Sequence, residues 1–141
     1  MIRIKKIDHI AVAVDSIDAA LEKFGAVLGL NAGARELVQS QKTEAALLSP
    51  GQDGDEHATS IELIEPKGNE GLARFLEKRG PGLHHIAVEV EGIEEALQTL
   101  SAMGIALIDT VPRIGARGHK VAFIHPKATG GVLIELLEPQ H

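Results

Sequence analysis

The sequence predicts an α+β fold in which two tandem βαβββ modules form a cupped mixed sheet. A His-Ile-Ala-Val-x-Val run at residues 9–14 recurs 76 positions later, at 85–90. An Ile-Glu-Leu-x-Glu-Pro run at residues 61–66 recurs 73 positions later, at 134–139. Apolar residues at helical spacing follow each His run. A long repeat in only two copies is not a solenoid and indicates a duplicated module.

Length and composition limit the protein's class. We expect residues 1–141 to form a single domain of two repeats, at about 1–66 and 82–139, joined by a linker helix. The formal charge of −6 argues against nucleic acid as a main partner. The absence of Cys excludes disulfides, a thiolate nucleophile and a Cys-based zinc site. No apolar run approaches transmembrane length, so we expect a cytoplasmic protein without membrane partners.

The first module begins with a strand at residues 3–14, where β-branched residues alternate. A helix at 17–28 follows because apolar residues recur there at helical spacing. Asp15 or Ser16 can cap this helix, and Gly29 suits its end. The remaining elements are one short strand within 30–40, a strand at 41–48, a turn at 50–55 and a strand at 59–64.

The second module follows a linker helix at residues 69–79, which ends at a Gly-Pro-Gly sequence. Its first strand, at 83–90, places Ile86 and Val88 on one face and His85 and Ala87 on the other. A histidine beside a small residue suggests a face left open to a ligand. The remaining elements are a helix at 93–103, a strand at 105–111, a basic loop at 113–118, a strand at 119–124, a turn at 126–131 and a strand at 132–137.

The repeats supply four candidate metal ligands, His9, Glu62, His85 and Glu135. Any one alone is better explained as a core histidine or a solvated carboxylate. Because the His and the Glu recur together in both halves, the pairs favour ligation. Two imidazoles and two carboxylates suit a six-coordinate divalent ion such as Co²⁺, Ni²⁺, Mn²⁺, Fe²⁺ or Zn²⁺, with two positions left for substrate.

The sequence resembles the vicinal-oxygen-chelate superfamily and, within it, the methylmalonyl-CoA epimerase family. The resemblance spans essentially the whole chain. Three motifs carry it: Gly-Leu-His-His-Ile-Ala at 82–87, Pro-Arg-Ile-Gly at 112–115, and His-Pro-Lys at 125–127 followed by Gly-Gly-Val-Leu-Ile-Glu-Leu at 130–136. His9, Glu62, His85 and Glu135 fall on the family's metal positions.

The resemblance implies an enzyme that interconverts the (R) and (S) forms of methylmalonyl-CoA by proton transfer through an enolate. It implies one divalent metal, for which we expect Co²⁺ with Ni²⁺, Mn²⁺ or Zn²⁺ as alternatives, and a homodimer. Glu44 falls on the family's second acidic position, so Glu44 and Glu135 are the expected acid and base. Glu135 would then be both ligand and base. A basic group, Arg113, Arg117 and Lys120, could contact CoA phosphates or could be solvated.

Three other functions use the same fold. A glyoxalase I-type isomerase (lactoylglutathione lyase) would share the metal set, but the motifs of the second half argue against it. An extradiol dioxygenase needs a ligand triad and more open positions than four ligands leave. A metal-free small-molecule-binding protein would not need four ligands, and such proteins often present aromatic walls, whereas this chain has no Trp or Tyr.

Overall fold

The computed structural model describes residues 2–50 and 58–140, with the side chain of Asn31 excepted. The predicted turn at 50–55 therefore lies, beyond Pro50, outside the described residues. The chain forms two compact units, one of residues 9–84 and one of residues 2–8 with 85–140. The division of the chain into two repeats of one domain stays a prediction.

The unit of residues 9–84 carries a four-stranded mixed sheet with the order β2-β3-β4-β1. β1 pairs in parallel with β4, and the other neighbours are antiparallel. Its elements are β1 (Ile4–Ala13, of which residues 9–13 belong to this unit), α1 (Ile17–Leu28), β2 (Asn31–Val38), β3 (Thr43–Ser49), β4 (Ser60–Pro66) and α2 (Glu70–Arg79).

Helix α1 begins and ends where the sequence predicts. The Ser16 hydroxyl accepts the backbone N–H of Ala19, and Gly29 ends the helix in the left-handed region, at φ 65°. The Glu65 carboxylate at the end of β4 accepts the N–H of Ile17 at 2.8 Å. The apolar side of α1 packs on one face of the sheet, in a cluster formed by Val14, Ile17, Ala20, Ala46, Leu48 and Leu63. The opposite face of this sheet carries His9 and Glu62.

The unit of residues 2–8 and 85–140 repeats this arrangement, with the strand order β5-β8-β7-β6 and a parallel pair β5/β8. Its elements are β5 (Gly82–Val90, here from residue 85), α3 (Ile93–Ala102), β6 (Arg113–Ile114), β7 (Lys120–Ile124) and β8 (Ile134–Glu138). Glu138 accepts the N–H groups of Gly92 and Ile93 at the start of α3, at 2.5 and 3.2 Å. The second Glu of each repeated motif is therefore a helix cap.

The apolar side of α3 packs on one face of this sheet. The buried cluster consists of Val90, Ile93, Ala96, Leu97, Leu100, Ala122, Ile124 and Leu136. The other face carries His85 and Ala87, as the alternation of β5 predicts. The sheet of this unit therefore has one helix-covered face and one face that carries polar groups.

The strand predicted at residues 105–111 is wrong. Only Leu107 forms a bridge, to Ile124. Ile108 and Asp109 both donate their N–H groups to the carbonyl oxygen of Phe123, and the Asp109 carboxylate accepts the N–H of Phe123 at 2.8 Å. Because a side chain takes the hydrogen bond that a strand backbone would make, pairing stops there.

The basic loop predicted at 113–118 contains two short regular elements, β6 and a 3₁₀ turn at Ala116–Gly118. Arg117 has a left-handed backbone, with φ 58°. Its guanidinium donates to the Asp8 carboxylate at 2.8 Å, which ties the turn to β1. Among the described residues, no helix has the length and hydropathy needed to span a membrane.

Candidate metal centre and active site

His9 and Glu62 lie side by side on the face of their sheet that α1 does not cover. β1 and β4 are in parallel register, with His9 opposite Ser60 and Ala11 opposite Glu62, so both side chains point to the same side. His9 Nε2 lies 3.6 Å from Glu62 Oε1, and the side chains are 2% and 8% exposed. Burying polar groups costs free energy unless a hydrogen bond or a bound ligand compensates. Buried pairs of titratable groups are typical of functional sites.

His85 and Glu135 repeat this pair in the other unit. Ala87 lies opposite Glu135 in the parallel register of β5 and β8, so His85, two residues earlier, faces the same side as Glu135. His85 Nε2 lies 3.6 Å from Glu135 Oε1, and both side chains are buried. The distance between the two side-chain atoms is thus the same in the two pairs.

The donor chemistry of each pair fits a divalent transition-metal ion. Imidazole nitrogen and carboxylate oxygen bind such ions at about 2.0–2.2 Å. Two ligands of one ion can therefore stand up to about 4 Å apart, and 3.6 Å falls within that limit. It exceeds the usual length of a hydrogen bond.

Glu44 does not share the face of the His9–Glu62 pair. In the antiparallel register of β3 and β4, Glu44 lies opposite Glu65, whereas Glu62 lies opposite Leu47. Residues an odd number apart on a strand point to opposite sides, so Glu44 faces the side of the sheet that α1 covers. There its carboxylate accepts hydrogen bonds from Arg35, one of them 3.1 Å from Nε.

Arg35 links three elements, because it also pairs with Asp18 on α1. Hydrogen bonds to Glu44 and Asp18 hold the pKa of the Arg35 guanidinium above its usual value. The structure therefore places Glu44 in a network of charged side chains on the helix-covered face of β3.

The three cations of the second half differ in how firmly they are paired. Lys120 donates to Glu94 at 2.5 Å, and this hydrogen bond raises the pKa of Lys120 and lowers that of Glu94. Arg117 is held by Asp8. Arg113 pairs with Asp109 at a longer distance, 3.8 Å between its Nη2 and Oδ2 of the carboxylate. Two of the three candidate CoA contacts thus already have close anionic partners.

Phe123 is a site residue that the sequence does not reveal. Its ring meets the His85 imidazole edge-on, with centroids 5.3 Å apart. In the register of β7 and β8 it lies opposite Glu135. Alternation along β7 would place Val121 and Phe123 on one side, but which side depends on a register that one strand's sequence does not encode.

The chain belongs to the Glyoxalase/Bleomycin resistance protein/Dioxygenase superfamily, which it matches over residues 8–123. Within this vicinal-oxygen-chelate superfamily it belongs to the methylmalonyl-CoA epimerase family and is an enzyme of the isomerase class. These similarities confirm the predicted fold class.

Three relatives illustrate the similarity. The chain is 44% identical to the uncharacterized protein YqjC of Bacillus subtilis over 96% of this chain and 93% of that one. It is 35% identical to the mitochondrial methylmalonyl-CoA epimerase of Dictyostelium discoideum over 97% and 80%. A solved structure of methylmalonyl-CoA epimerase in complex with methylmalonyl-CoA and NH₄⁺ superimposes with a TM-score of 0.88, at 30% identity over 96% and 95%.

Proposed function

We propose that this protein interconverts the (R) and (S) forms of methylmalonyl-CoA by moving the proton on C2. The observation that carries the proposal is the buried His–Glu pair, present in both units with the same 3.6 Å separation. The relatives named methylmalonyl-CoA epimerase support the choice of substrate. C2 lies between a carboxylate and a thioester carbonyl, so its proton is acidic enough for a carboxylate base to remove.

We further propose that His9, Glu62, His85 and Glu135 together hold one divalent ion. Co²⁺ is the ion we propose, with Ni²⁺, Mn²⁺ or Zn²⁺ as alternatives. Two anionic and two neutral donors suit a dication, and the duplicated sequence accounts for their arrival in matched pairs. When bound, such an ion would supply Lewis acidity toward the oxygens of the substrate.

Glu135 is the base that we propose for one face of C2. It lies on β8, beside Phe123 on the neighbouring strand, and its side chain is 5% exposed. A carboxylate shielded from bulk water can hold a proton close to the reacting carbon. Phe123 packs against His85 and so limits the positions that the imidazole can take.

For the opposite face of C2 we propose Glu44. This assignment is supported by the resemblance to the epimerase family, in which Glu44 falls on the second acidic position. It requires the carboxylate to leave Arg35 and a local change in β3, because the register directs Glu44 away from the face of Glu62. Replacing Glu44 and Glu135 one at a time with glutamine tests the pair.

The direct test of the function is an epimerisation assay with a single epimer of methylmalonyl-CoA in D₂O. We expect the other epimer to form and to carry deuterium at C2, because a second carboxyl group, exchanged with D₂O between turnovers, returns the proton to the opposite face. The hemithioacetal of methylglyoxal and glutathione is the comparison substrate for a glyoxalase I-type isomerase. Turnover of that adduct without epimerisation would replace the proposal with the glyoxalase reaction.

Metal analysis separates the enzyme from a metal-free binding protein of the same fold. Protein purified without chelator should contain one divalent ion per chain, and dialysis against a chelator should remove both the ion and the activity. Protein that contains no divalent ion would disprove the four-ligand proposal, and full epimerisation after metal removal would show that the reaction does not need the ion. The homodimer and the cytoplasmic location are also proposals, which light scattering and cell fractionation test.

A further inference from the structure

Four side chains line one face of the sheet in the unit of residues 85–140. Phe123 lies opposite Glu135 across β7 and β8, and Arg113 lies opposite Val121 across β6 and β7. Because Val121 and Phe123 are two residues apart on β7, all four point to the same side. Arg113 therefore faces the side of the sheet that carries the His85–Glu135 pair.

Arg113 is oriented on this face by an aromatic ring. Its Cζ lies 5.9 Å from the centre of the Phe123 ring, within the range of a cation–π contact. The same ring also contacts the His85 imidazole, with 5.3 Å between centroids. Arg113 and His85 therefore both contact the Phe123 ring.

The hydrogen-bonding capacity of Arg113 is incompletely used. Its Nε is buried and has no hydrogen-bond partner within residues 2–50 and 58–140. Its ion-pair partner, Asp109, is 3.8 Å away and already accepts the N–H of Phe123. A buried donor without a partner is destabilising, and native proteins keep one where it has a role. The side chain is 39% exposed, so a ligand can reach the rest of the guanidinium.

We infer that Arg113 binds the carboxylate of the substrate's acyl group and selects malonyl-type thioesters over simple acyl thioesters. The inference rests on the proposed function. A guanidinium is planar and presents paired N–H donors that match the two oxygens of a carboxylate. In acyl-CoA the phosphates lie at the far end of the pantetheine arm, whereas the acyl carboxylate is two bonds from the thioester carbon. Arg113 shares the face of the His85–Glu135 pair and contacts the same Phe123 ring as His85, which favours the acyl carboxylate.

The test measures binding by isothermal titration calorimetry with two ligands, methylmalonyl-CoA and propionyl-CoA, which lacks the carboxylate. Arg113→Gln should weaken methylmalonyl-CoA binding by about 10- to 100-fold, since a charge-assisted contact is lost. Its affinity for propionyl-CoA should remain that of the wild type. Arg113→Lys keeps the charge but not the paired N–H donors of the guanidinium. Its affinity for methylmalonyl-CoA should lie between those of the wild type and Arg113→Gln.

Lys23→Gln, which also replaces one cation with glutamine, is the matched control. Lys23 is exposed on α1, the helix that covers the face of its sheet opposite His9 and Glu62. This variant should bind both ligands as the wild type does. Circular dichroism should show that all the variants are folded.

Two outcomes would overturn the inference. Equal weakening of both ligands by Arg113→Gln would place the contact on the CoA moiety, and no weakening of either would remove Arg113 from the binding site. Either result leaves the proposed function intact if the wild type epimerises methylmalonyl-CoA. A wild type that neither binds nor epimerises it would remove the proposed function and this inference together.

Discussion

At the scale of single residues, the buried His85 imidazole is the most direct probe of the proposed metal centre. His85→Ala should lower the metal content well below one ion per chain, because one of four ligands is lost. The fold should persist, since His85 faces the polar side of its sheet and not the cluster under α3. Elemental analysis and thermal unfolding of the same sample measure the two effects.

His125→Asn is the control for this substitution. His125 is exposed, and its Nδ1 accepts the N–H of Lys127, a cap that an asparagine side chain can also make. This variant should keep both metal and stability. Full metal content in His85→Ala would exclude His85 as a ligand. Global unfolding of that variant would show that His85 is a structural residue.

Glutamine variants of the two proposed bases, Glu44 and Glu135, should both lose epimerisation but should differ in metal binding. Gln cannot accept a proton at neutral pH, so each variant should lose epimerisation by about 10²–10⁴-fold. Glu44→Gln should keep its metal, whereas Glu135→Gln should also bind metal less tightly. In D₂O the remaining base could still exchange the C2 proton from its own side without inverting the centre, which NMR of the recovered substrate detects. Near wild-type inversion by Glu44→Gln would remove Glu44 from the mechanism.

The four candidate ligands could be proposed from the sequence alone, because the repeat allows one half of the chain to be compared with the other. His9 and His85 mark the same place in two strands, and so do Glu62 and Glu135. Glu44 and Arg113 have no such internal copy. Their surroundings depend on which residues of neighbouring strands stand opposite them, and strand register is a nonlocal property. The pairing of Glu44 with Arg35 and the contact of Arg113 with Phe123 therefore needed the structure.

At the scale of elements, a carboxylate at the end of β4 stabilises the start of α1. Burial opposes ionisation of Glu65, but hydrogen bonds from Lys67 and from the N–H of Ile17 outweigh it and hold the pKa below its usual value. A carboxylate with a lowered folded pKa stabilises the protein above its unfolded pKa, and this contribution is lost as the pH falls through the folded pKa.

Glu65→Gln should therefore destabilise the protein by about 1 kcal/mol at neutral pH, through the lost charge at a helix N-terminus. The difference from the wild type should shrink as the solution is acidified. Urea unfolding at a series of pH values measures it. Glu22→Gln, an exposed change on α1, is the control. A difference that stays constant down to acid would show that the carboxylate's charge is not what matters.

Elements whose ends are set by nearby residues were predicted closely from the sequence. The strand predicted at residues 105–111 was wrong because of a contact with a distant part of the chain. Helix α1 needs only Ser16, Gly29 and its apolar spacing, all of which are visible in the sequence. Residues 105–111 have a strand-like composition, but Asp109 takes the N–H of Phe123 that a paired strand would use. Such competition between a side chain and the backbone becomes visible only when the partner segment is known.

At the scale of the whole molecule, one of the two compact units is built from two separate segments of the chain. β1 runs through the boundary between residues 8 and 9, so the unit that contains α3 also includes residues 2–8. Ile2 packs against the buried cluster of that unit, and Lys5 pairs with Glu89 at 3.4 Å. Asp8 holds the turn of Arg117. The N-terminal residues thus complete a structure that is otherwise built from the second half.

This exchange of a strand segment has a consequence for any attempt to divide the protein. A polypeptide of residues 82–141 lacks the segment that covers its own core, so we expect it to be unfolded by circular dichroism when expressed alone. A circular permutant that begins at residue 82, with the old termini joined by a flexible linker, keeps all the segments and should fold. If the isolated second half unfolded cooperatively on heating, residues 2–8 would be dispensable. If residues 2–8 are required instead, a half-length protein of this kind would have to take the strand segment from a second copy of itself.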